Sequence, residues 1–259
     1  MGDDKGKAVD EFQLLIDLHR HAARQGPGGE AETKRTLELA GLDRSRPLKI
    51  ADIGCGTGAS TILLARALDA DITAVDFLPA FLAELQSRAN DHGVADKIST
   101  LNCSMDALPF TAGEFDVIWS EGAIYNMGFE AGVSAWSRFL KPEGKLIVSE
   151  ITWLSTTRSA ELQSYWENEY PEIDVASAKI GILERHGFSP EAYFVLPTHC
   201  WLENYYRPMQ SRFDAFLERH GQSDQAKTIV EAEQHEIALY EKYRTYYSYG
   251  VYVAKKCNE

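Results

Sequence analysis

The sequence predicts an α/β fold, a mostly parallel sheet with helices on both faces. Three observations carry that expectation. Short apolar strands alternate with helix-period segments from residue 48 to residue 150. A glycine-rich turn, Gly54-Cys55-Gly56-Thr57-Gly58, joins the first of these strands to the helix after it. The chain of 259 residues is 44% hydrophobic and 25% charged, which is ordinary for a globular protein and excludes disordered and collagen-like classes.

The elements follow in order. Val9, Phe12, Leu15, Ile16 and Leu18 give residues 8–24 an amphipathic helical period, which Gln25-Gly26-Pro27-Gly28-Gly29 breaks. A second helix is expected over 30–41, with Gly41 as its stop. Strands are expected at 48–53, 71–76, 98–103, 115–120 and 145–150, with helices at 58–69, 79–92 and 129–139 between them. Right-handed βαβ units of this kind build a parallel sheet covered on both sides. Beyond residue 150 the pattern changes. Helices are expected at 158–169 and 175–186, a strand at 192–196, a largely helical stretch at 203–245 and a closing strand at 249–254. Eight of the twelve tyrosines lie beyond residue 204, so the C-terminal part should build an aromatic core or pocket.

Charge and cysteine usage narrow the class. With 26 basic and 39 acidic residues, net −13, long-range electrostatics oppose nucleic acid and anionic membranes as partners. No run of 18 uninterrupted apolar residues is present, and the start of the chain is polar and acidic, so a cytoplasmic protein with no membrane partner is expected. Cys55, Cys103, Cys200 and Cys257 show no metal spacing. They read as reduced thiols, and no metal is expected.

The glycine turn is the sharpest local signal. It satisfies a dinucleotide fingerprint, G-x-G-x-x-A, so its neighbours must decide the ligand. Asp52 sits just before the turn, where a carboxylate repels a pyrophosphate and suits an ammonium group. Asp76, 22 residues after Gly54 and at the end of the second strand, is placed to accept two ribose hydroxyls. Together they describe a nucleoside with a cationic amino-acid tail and no phosphate, which is S-adenosylmethionine.

At this point the chain resembles the class I S-adenosylmethionine-dependent methyltransferases, over about residues 45–154 and the closing strand. Asp52-Ile53-Gly54-Cys55-Gly56-Thr57-Gly58 is similar to the first motif of that family, and Asp76-Phe77-Leu78 to its ribose- and adenine-binding positions. Leu108-Pro109-Phe110 with Phe115-Asp116-Val117-Ile118, and Leu140-Lys141-Pro142-Glu143-Gly144, resemble the motifs leading into strands four and five. Many members carry an Asp where this chain has Ser104. The resemblance implies that Ser104 and the Met105 backbone face the adenine, and whether Asp106 takes the place of the missing acid stays open. Ile118–Phe129 and the loop Arg24-Gln25-Gly26-Pro27-Gly28 are similar to small-molecule methyltransferases related to the ubiquinone/menaquinone-biosynthesis branch, whose N-terminal loop folds over the cofactor.

The resemblance implies a Rossmann-like sheet of order 3-2-1-4-5-7-6 with strand seven antiparallel, in a single domain over 1–259. Residues 45–154 would bind the cofactor. Helices at 8–42 and the insertion at 203–245 would cap the carboxyl edge. The cofactor set is then Asp52, Gly54, Cys55, Gly56, Thr57, Gly58, Asp76, Phe77, Leu78, Ser104, Met105, Glu121 and Gly122. Glu121 and His199 are the candidate catalytic residues, since an amine or hydroxyl acceptor needs a base. Tyr125, Asn126, Trp153, His199, Trp201 and Tyr205 are candidates for the acceptor pocket. The expected activity is methyl transfer from S-adenosylmethionine to a small-molecule amine, hydroxyl, thiol or quinone-like carbon, by a monomer or homodimer, with S-adenosylhomocysteine as product. A nicotinamide-dependent oxidoreductase, an RNA or DNA methyltransferase and a non-catalytic S-adenosylmethionine-binding protein are the alternatives.

Overall fold

The computed structural model describes residues 11–258. Seven strands form one sheet in the order 3-2-1-4-5-7-6: β1 (Leu48–Ile53), β2 (Ala70–Asp76), β3 (Ile98–Asn102), β4 (Phe115–Glu121), β5 (Leu140–Trp153), β6 (Phe188–Val195) and β7 (Tyr247–Lys256). β1 to β5 pair in parallel, and β7 runs antiparallel to β5 and β6 on either side of it. A two-residue strand, Asp174–Val175, pairs with the end of β5.

The helices are α1 (Glu11–His19), α2 (Glu30–Ala40), α3 (Ala59–Ala67), α4 (Pro79–Asp91), α5 (Phe129–Ser137), α6 (Ala160–Glu169), α7 (Ala176–Arg185), α8 (Thr198–Trp201), α9 (Arg207–Gln210), α10 (Phe213–Arg219) and α11 (Asp224–Tyr243). Successive residues of β1 feed opposite faces. Ile50 packs with Ile62, Leu64 and Leu85 of α3 and α4. Ala51 and Ile53 pack with Phe129, Trp136 and Leu183 of α5 and α7. Burial on both faces is why the parallel strands read as near-continuous apolar runs rather than alternating ones.

A third core lies beyond the carboxyl edge. There Leu14 and Leu18 of α1 meet Phe213, Phe216, Ile229, Val230 and Ile237, over Trp153, Tyr206, Tyr240 and Tyr247. This places α1 in the cap with α10 and α11. α2 does not join it, although the sequence reading put both N-terminal helices there. Its buried stripe of Thr33, Thr36, Leu37 and Ala40 is flat enough to lie on the sheet face, against α3, β6 and β7.

Element bounds also shift. The helix expected over 8–24 ends at His19, because the Gln25 side chain turns back and donates to the His19 and Ala22 carbonyls. Its expected residues 8–10, Val9 among them, lie outside the described residues. The expected 203–245 helix begins early, at Thr198, and breaks at Gly221 and Gln222, both at positive φ, before Ser223 caps α11 by accepting from the Ala226 N–H. β5 runs to Trp153 because β7 pairs with it from Lys145 to Trp153.

Candidate active site

A cavity of about 800 Å³ opens at the carboxyl ends of β1, β2 and β4, beneath α1. That volume lies in the upper part of the range for small-molecule sites. Its floor is the glycine turn. The N–H groups of Gly54 and Cys55 both donate to the Val75 carbonyl at 2.9 Å, which locks the turn to β2. Gly54 has φ +74, and a Cβ there would lie 2.3 Å from Ala123 Cβ. Gly58 has φ +85, and a Cβ there would strike Leu85. Both positions therefore require glycine for backbone conformation and for space. Gly54→Ala should lose about 2–4 kcal/mol, the left-handed penalty plus overpacking. Urea unfolding measures this, and a loss below about 0.5 kcal/mol would show that the turn tolerates a side chain.

Asp76 forms the next wall. Its Oδ2 accepts from the Gly56 N–H and its Oδ1 from the Leu78 N–H, each at 2.9 Å. Burial raises the carboxyl above its ordinary range, and these N–H bonds pull the other way. Beside it lie Phe77, 63% exposed, Leu78, Phe81 and the segment Cys103–Asp106. The Met105 carbonyl accepts from Trp136 Nε1 at 3.1 Å, which fixes that segment against the sheet.

Asp52 takes a different place from the one its sequence position implied. It is fully buried beneath the turn, accepting from Ser60 Oγ (2.9 Å) and Thr61 Oγ1 (2.6 Å), and does not line the cavity. Burial pushes it up to about 7 against those two hydroxyls. Both hydroxyls bind Oδ2 and brace the start of α3, while Oδ1 is buried without a hydrogen-bond partner. Thr57 and Gly58 are likewise support. Thr57 binds the 20–29 loop through Gln25 and the Ala22 carbonyl, and Arg88 donates to it.

At the end of β4 the Glu121 carboxylate meets Arg24, and it also accepts from Thr33 Oγ1 (2.9 Å) and Trp119 Nε1 (3.0 Å). Arg24 and Glu121 both line the cavity next to Gly54. Gly122, Tyr125, Asn126 and Tyr205 complete that end. Asn126 donates to the Ala123 carbonyl, and Tyr125 meets Tyr170 edge to face.

Three expected acceptor-pocket residues lie elsewhere. Trp153 is buried between Trp166 and Tyr247. Trp201 stacks on Tyr240 at 4.4 Å and donates to Ser248 Oγ. Both serve the cap core, because large aromatic surfaces gain more from full burial there than at a wet wall. His199 points outward with its side chain half exposed, Nε2 3.1 Å from Glu32 Oε1. With the buried Cys200 it forms a three-group cluster that ties α8 to α2. Burial and the Glu32 charge push the Cys200 thiol up.

The site also recruits residues outside the sequence-derived set: Phe12, Leu15, Ile16 and His19 from α1, and Gln25–Pro27 from the loop after it. The α1 apolar period and the glycine break were visible, but an amphipathic helix does not say what its face covers.

Behind Tyr205, Glu236 accepts from Tyr206 OH at 2.7 Å, and burial with the neighbouring Glu233 pushes it up to about 7 from 4.5. Between those values the folded protein holds a proton that the unfolded chain has lost. Stability contributed by this group is therefore full below about pH 4.5 and drains away as pH rises through 7, by up to about 3 kcal/mol. Urea unfolding at pH 5 and pH 8 should show a smaller fall for Glu236→Gln than for the parent. Equal falls would mean that Glu236 is ionised throughout.

Residues 50–144 match the family described as "Methyltransferase domain". Over 252 residues the chain is 26% identical to 27-O-demethylrifamycin SV methyltransferase of Amycolatopsis mediterranei (strain S699), covering 90% of this chain and 88% of that one. It is 30% identical over 121 residues to ubiquinone/menaquinone biosynthesis C-methyltransferase UbiE of Shewanella pealeana (strain ATCC 700345 / ANG-SQ1), a match spanning 45% of this chain and 47% of that enzyme, about half its length. Among solved structures, an S-adenosylmethionine-dependent methyltransferase from Geobacter sulfurreducens, in complex with S-adenosyl-L-homocysteine, shares the fold at a TM-score of 0.81. It is 18% identical, with 95% of this chain and 98% of that one covered.

Proposed function

We propose that this chain, which belongs to the class I S-adenosylmethionine-dependent methyltransferases, transfers a methyl group to a small-molecule acceptor enclosed beneath α1 and the C-terminal cap. S-adenosylmethionine is its cofactor and S-adenosylhomocysteine its product. The observation that carries the acceptor reading is the cavity itself. Its lining includes, besides the glycine turn and Asp76, residues of α1 and Tyr125, Asn126 and Tyr205, which leaves walls for an acceptor beside those for the cofactor.

The residues present fit the cofactor. The turn at Gly54–Gly56 brings backbone close to the ligand without a side chain in the way, and Asp76 keeps lone pairs for two ribose hydroxyls beyond its two backbone bonds. Arg24 and Glu121, paired with each other, are the two charges that a zwitterionic amino-acid tail requires: the guanidinium for its carboxylate and the carboxylate for its ammonium. Cys55, Phe77, Leu78, Ser104, Met105 and Gly122 supply the remaining walls. Asp52, Thr57 and Gly58 hold the turn in shape from behind.

The cofactor supplies an electrophilic methyl group. The protein's part is to bind it, aim it and keep water away. Holding acceptor and donor in a near-attack arrangement, with reacting atoms about 3–3.5 Å apart, can supply several kcal/mol of the barrier without any covalent step on the enzyme. Residues of α1 and of the loop over 20–29 line the cavity, and Gln25 ties that loop to Thr57 of the turn.

The relative that matches over nearly the whole chain is named for methyl transfer to an oxygen and the half-length relative for transfer to a carbon, so hydroxyl and quinone-like acceptors lead the panel to be tried. The test measures binding of S-adenosylhomocysteine and NADH by calorimetry, then S-adenosylhomocysteine release over hydroxyl, amine, thiol and quinol acceptors. Tight S-adenosylhomocysteine binding with turnover of at least one small acceptor is expected. Binding without turnover on any acceptor would sink the small-molecule reading.

A further inference from the structure

We propose that Glu32, His199 and Cys200 form a site for one zinc ion, which staples α2 to α8 away from the residues that line the methyl-transfer cavity. This goes beyond the methyl-transfer reading and does not depend on it.

The donor set comes first. Carboxylate, imidazole and thiol donors lie within 4.8 Å of one another, with His199 Nε2 3.1 Å from Glu32 Oε1. Among the described residues no other trio of His, Cys, Asp or Glu side chains does so. Zinc holds O, N and S donors at about 2.0–2.3 Å, so donors around one ion stand about 3.3–3.8 Å apart. Rotation of the half-exposed His199 ring supplies the difference. Sulfur and nitrogen donors select a borderline ion such as zinc over Mg²⁺ and Ca²⁺, which take oxygen. A thiolate and a carboxylate together match the charge of a divalent ion, and a neutral imidazole adds none. His199 and Cys200 are neighbours on one short helix and Glu32 lies on a distant one, so no ligand spacing shows in the sequence.

An orphaned atom points to a ligand independently. Glu32 Oε2 is buried without a hydrogen-bond partner, on a side chain that is 12% exposed. A buried carboxylate oxygen without a partner costs free energy, and a cation held there would satisfy it. The chain also leaves room for that oxygen. A Cβ at Gly29 would lie 2.1 Å from it and 3.0 Å from Asn204 Nδ2. Gly29 has φ −164, which any residue adopts, so space alone requires glycine there.

The ligands stand on anchored elements. Thr33 and Thr36 are buried beside Glu32 on α2, and Trp201, next to Cys200, stacks on Tyr240 in the cap core. The Gly28 N–H donates to the Cys200 carbonyl at 3.3 Å, and Asn204 Nδ2 donates to the Gly28 carbonyl at 2.8 Å. The end of the 20–29 loop is thus already clasped against α8 and the residues after it. Cys200 is fully buried and His199 is 49% exposed, so an ion enters from the His199 side, where water completes the fourth position. On binding, the thiol proton passes to solvent, and sulfur, nitrogen and oxygen each donate a lone pair to the ion. The ion then joins two helices far apart in sequence, and its binding adds to the stability of the fold.

The experiment uses the metal-free full chain without an added histidine tag. Calorimetric titration with Zn²⁺ should show one site per chain. Zn²⁺ at about a hundredfold its dissociation constant should raise the unfolding temperature by about 5–10 °C. Mg²⁺ and Ca²⁺ at the same concentration should leave it unchanged. Co²⁺, as a spectroscopic stand-in, should give the intense visible bands of a tetrahedral site and a sulfur-to-cobalt charge-transfer band, the latter lost in Cys200→Ser. His199→Gln and Glu32→Gln should each weaken Zn²⁺ binding by at least about 10²-fold, the upper end of what loss of an outer partner costs. Urea unfolding of the metal-free variants confirms that each folds. No Zn²⁺-induced shift in the parent, a shift retained in both Cys200→Ser and His199→Gln, cobalt bands without the sulfur band, or an equal response to Mg²⁺ would each overturn the proposal. None of these readouts involves S-adenosylhomocysteine, so the methyl-transfer reading stands or falls separately.

Discussion

Lys179→Met should destabilise the protein by about 3–5 kcal/mol at pH 8, measured by urea unfolding. Lys179 and Glu150 are both buried, 1% and 0% exposed, with Nζ 3.4 Å from Oε1. Lys179 also donates to the Glu172 carbonyl at 2.9 Å and lies over the rings of Phe129 and Tyr170. Removing the ammonium leaves a carboxylate in an apolar core without its counter-charge. Burial already pushes Glu150 up to about 7 despite Lys179, so in the variant it should take up a proton more readily still. The deficit should therefore be smaller at pH 5 than at pH 8. The double variant Lys179→Met/Glu150→Gln should regain most of the loss, because neither partner then carries a charge. A single-variant loss below about 1 kcal/mol, or one that does not change with pH, would mean that the pair is not ionised in the parent.

The second large effect concerns Asp76. Asp76→Ala should weaken S-adenosylhomocysteine binding by about 10²–10⁴-fold, the equivalent of two hydrogen bonds from ribose hydroxyls to a charged acceptor at about 1.5–3 kcal/mol each. The substitution also frees the Gly56 and Leu78 N–H groups, which loosens the turn. Asp76→Asn separates the two effects, since it keeps an acceptor oxygen for one N–H and removes the charge, and it should fall between parent and alanine. Calorimetric titration reads the affinities, with thermal unfolding of the cofactor-free proteins confirming that each variant folds. An Asp76→Ala affinity within threefold of the parent would place the ribose elsewhere.

Much of the site was legible where its signal is local. Gly54, Gly56 and Asp76 stand at strand ends fixed by neighbouring apolar runs, and their spacing alone put them at one edge of a parallel sheet. Asp52 shows the limit of that reasoning. Its position in the chain suits a ligand contact, but which way a side chain points from the end of a strand depends on the helix that follows, and Ser60 and Thr61 at the start of α3 claim its Oδ2. Trp153 and Trp201 were drawn to the pocket by residue type, whereas the space between β5, β7 and α11 takes them into a core. His19 carries no sequence signal beyond a helical face. It lines the cavity with its ring held by Glu233 because α11, 214 residues away in sequence at that point, packs against α1.

The sequence by itself determined the strand–helix alternation, the glycine turn, the acid at the end of β2 and the absence of a long apolar segment. All of these follow from periodicity and backbone freedom within a few dozen residues. Tertiary structure alone decided what the cap covers, that α2 lies on the sheet rather than over its edge, and which histidine meets the cavity. The physical reason is that burial and charge pairing belong to pairs of surfaces. A carboxylate pushed up to about 7, or an imidazole held on a carboxylate, exists only once a distant element has excluded water or supplied the partner.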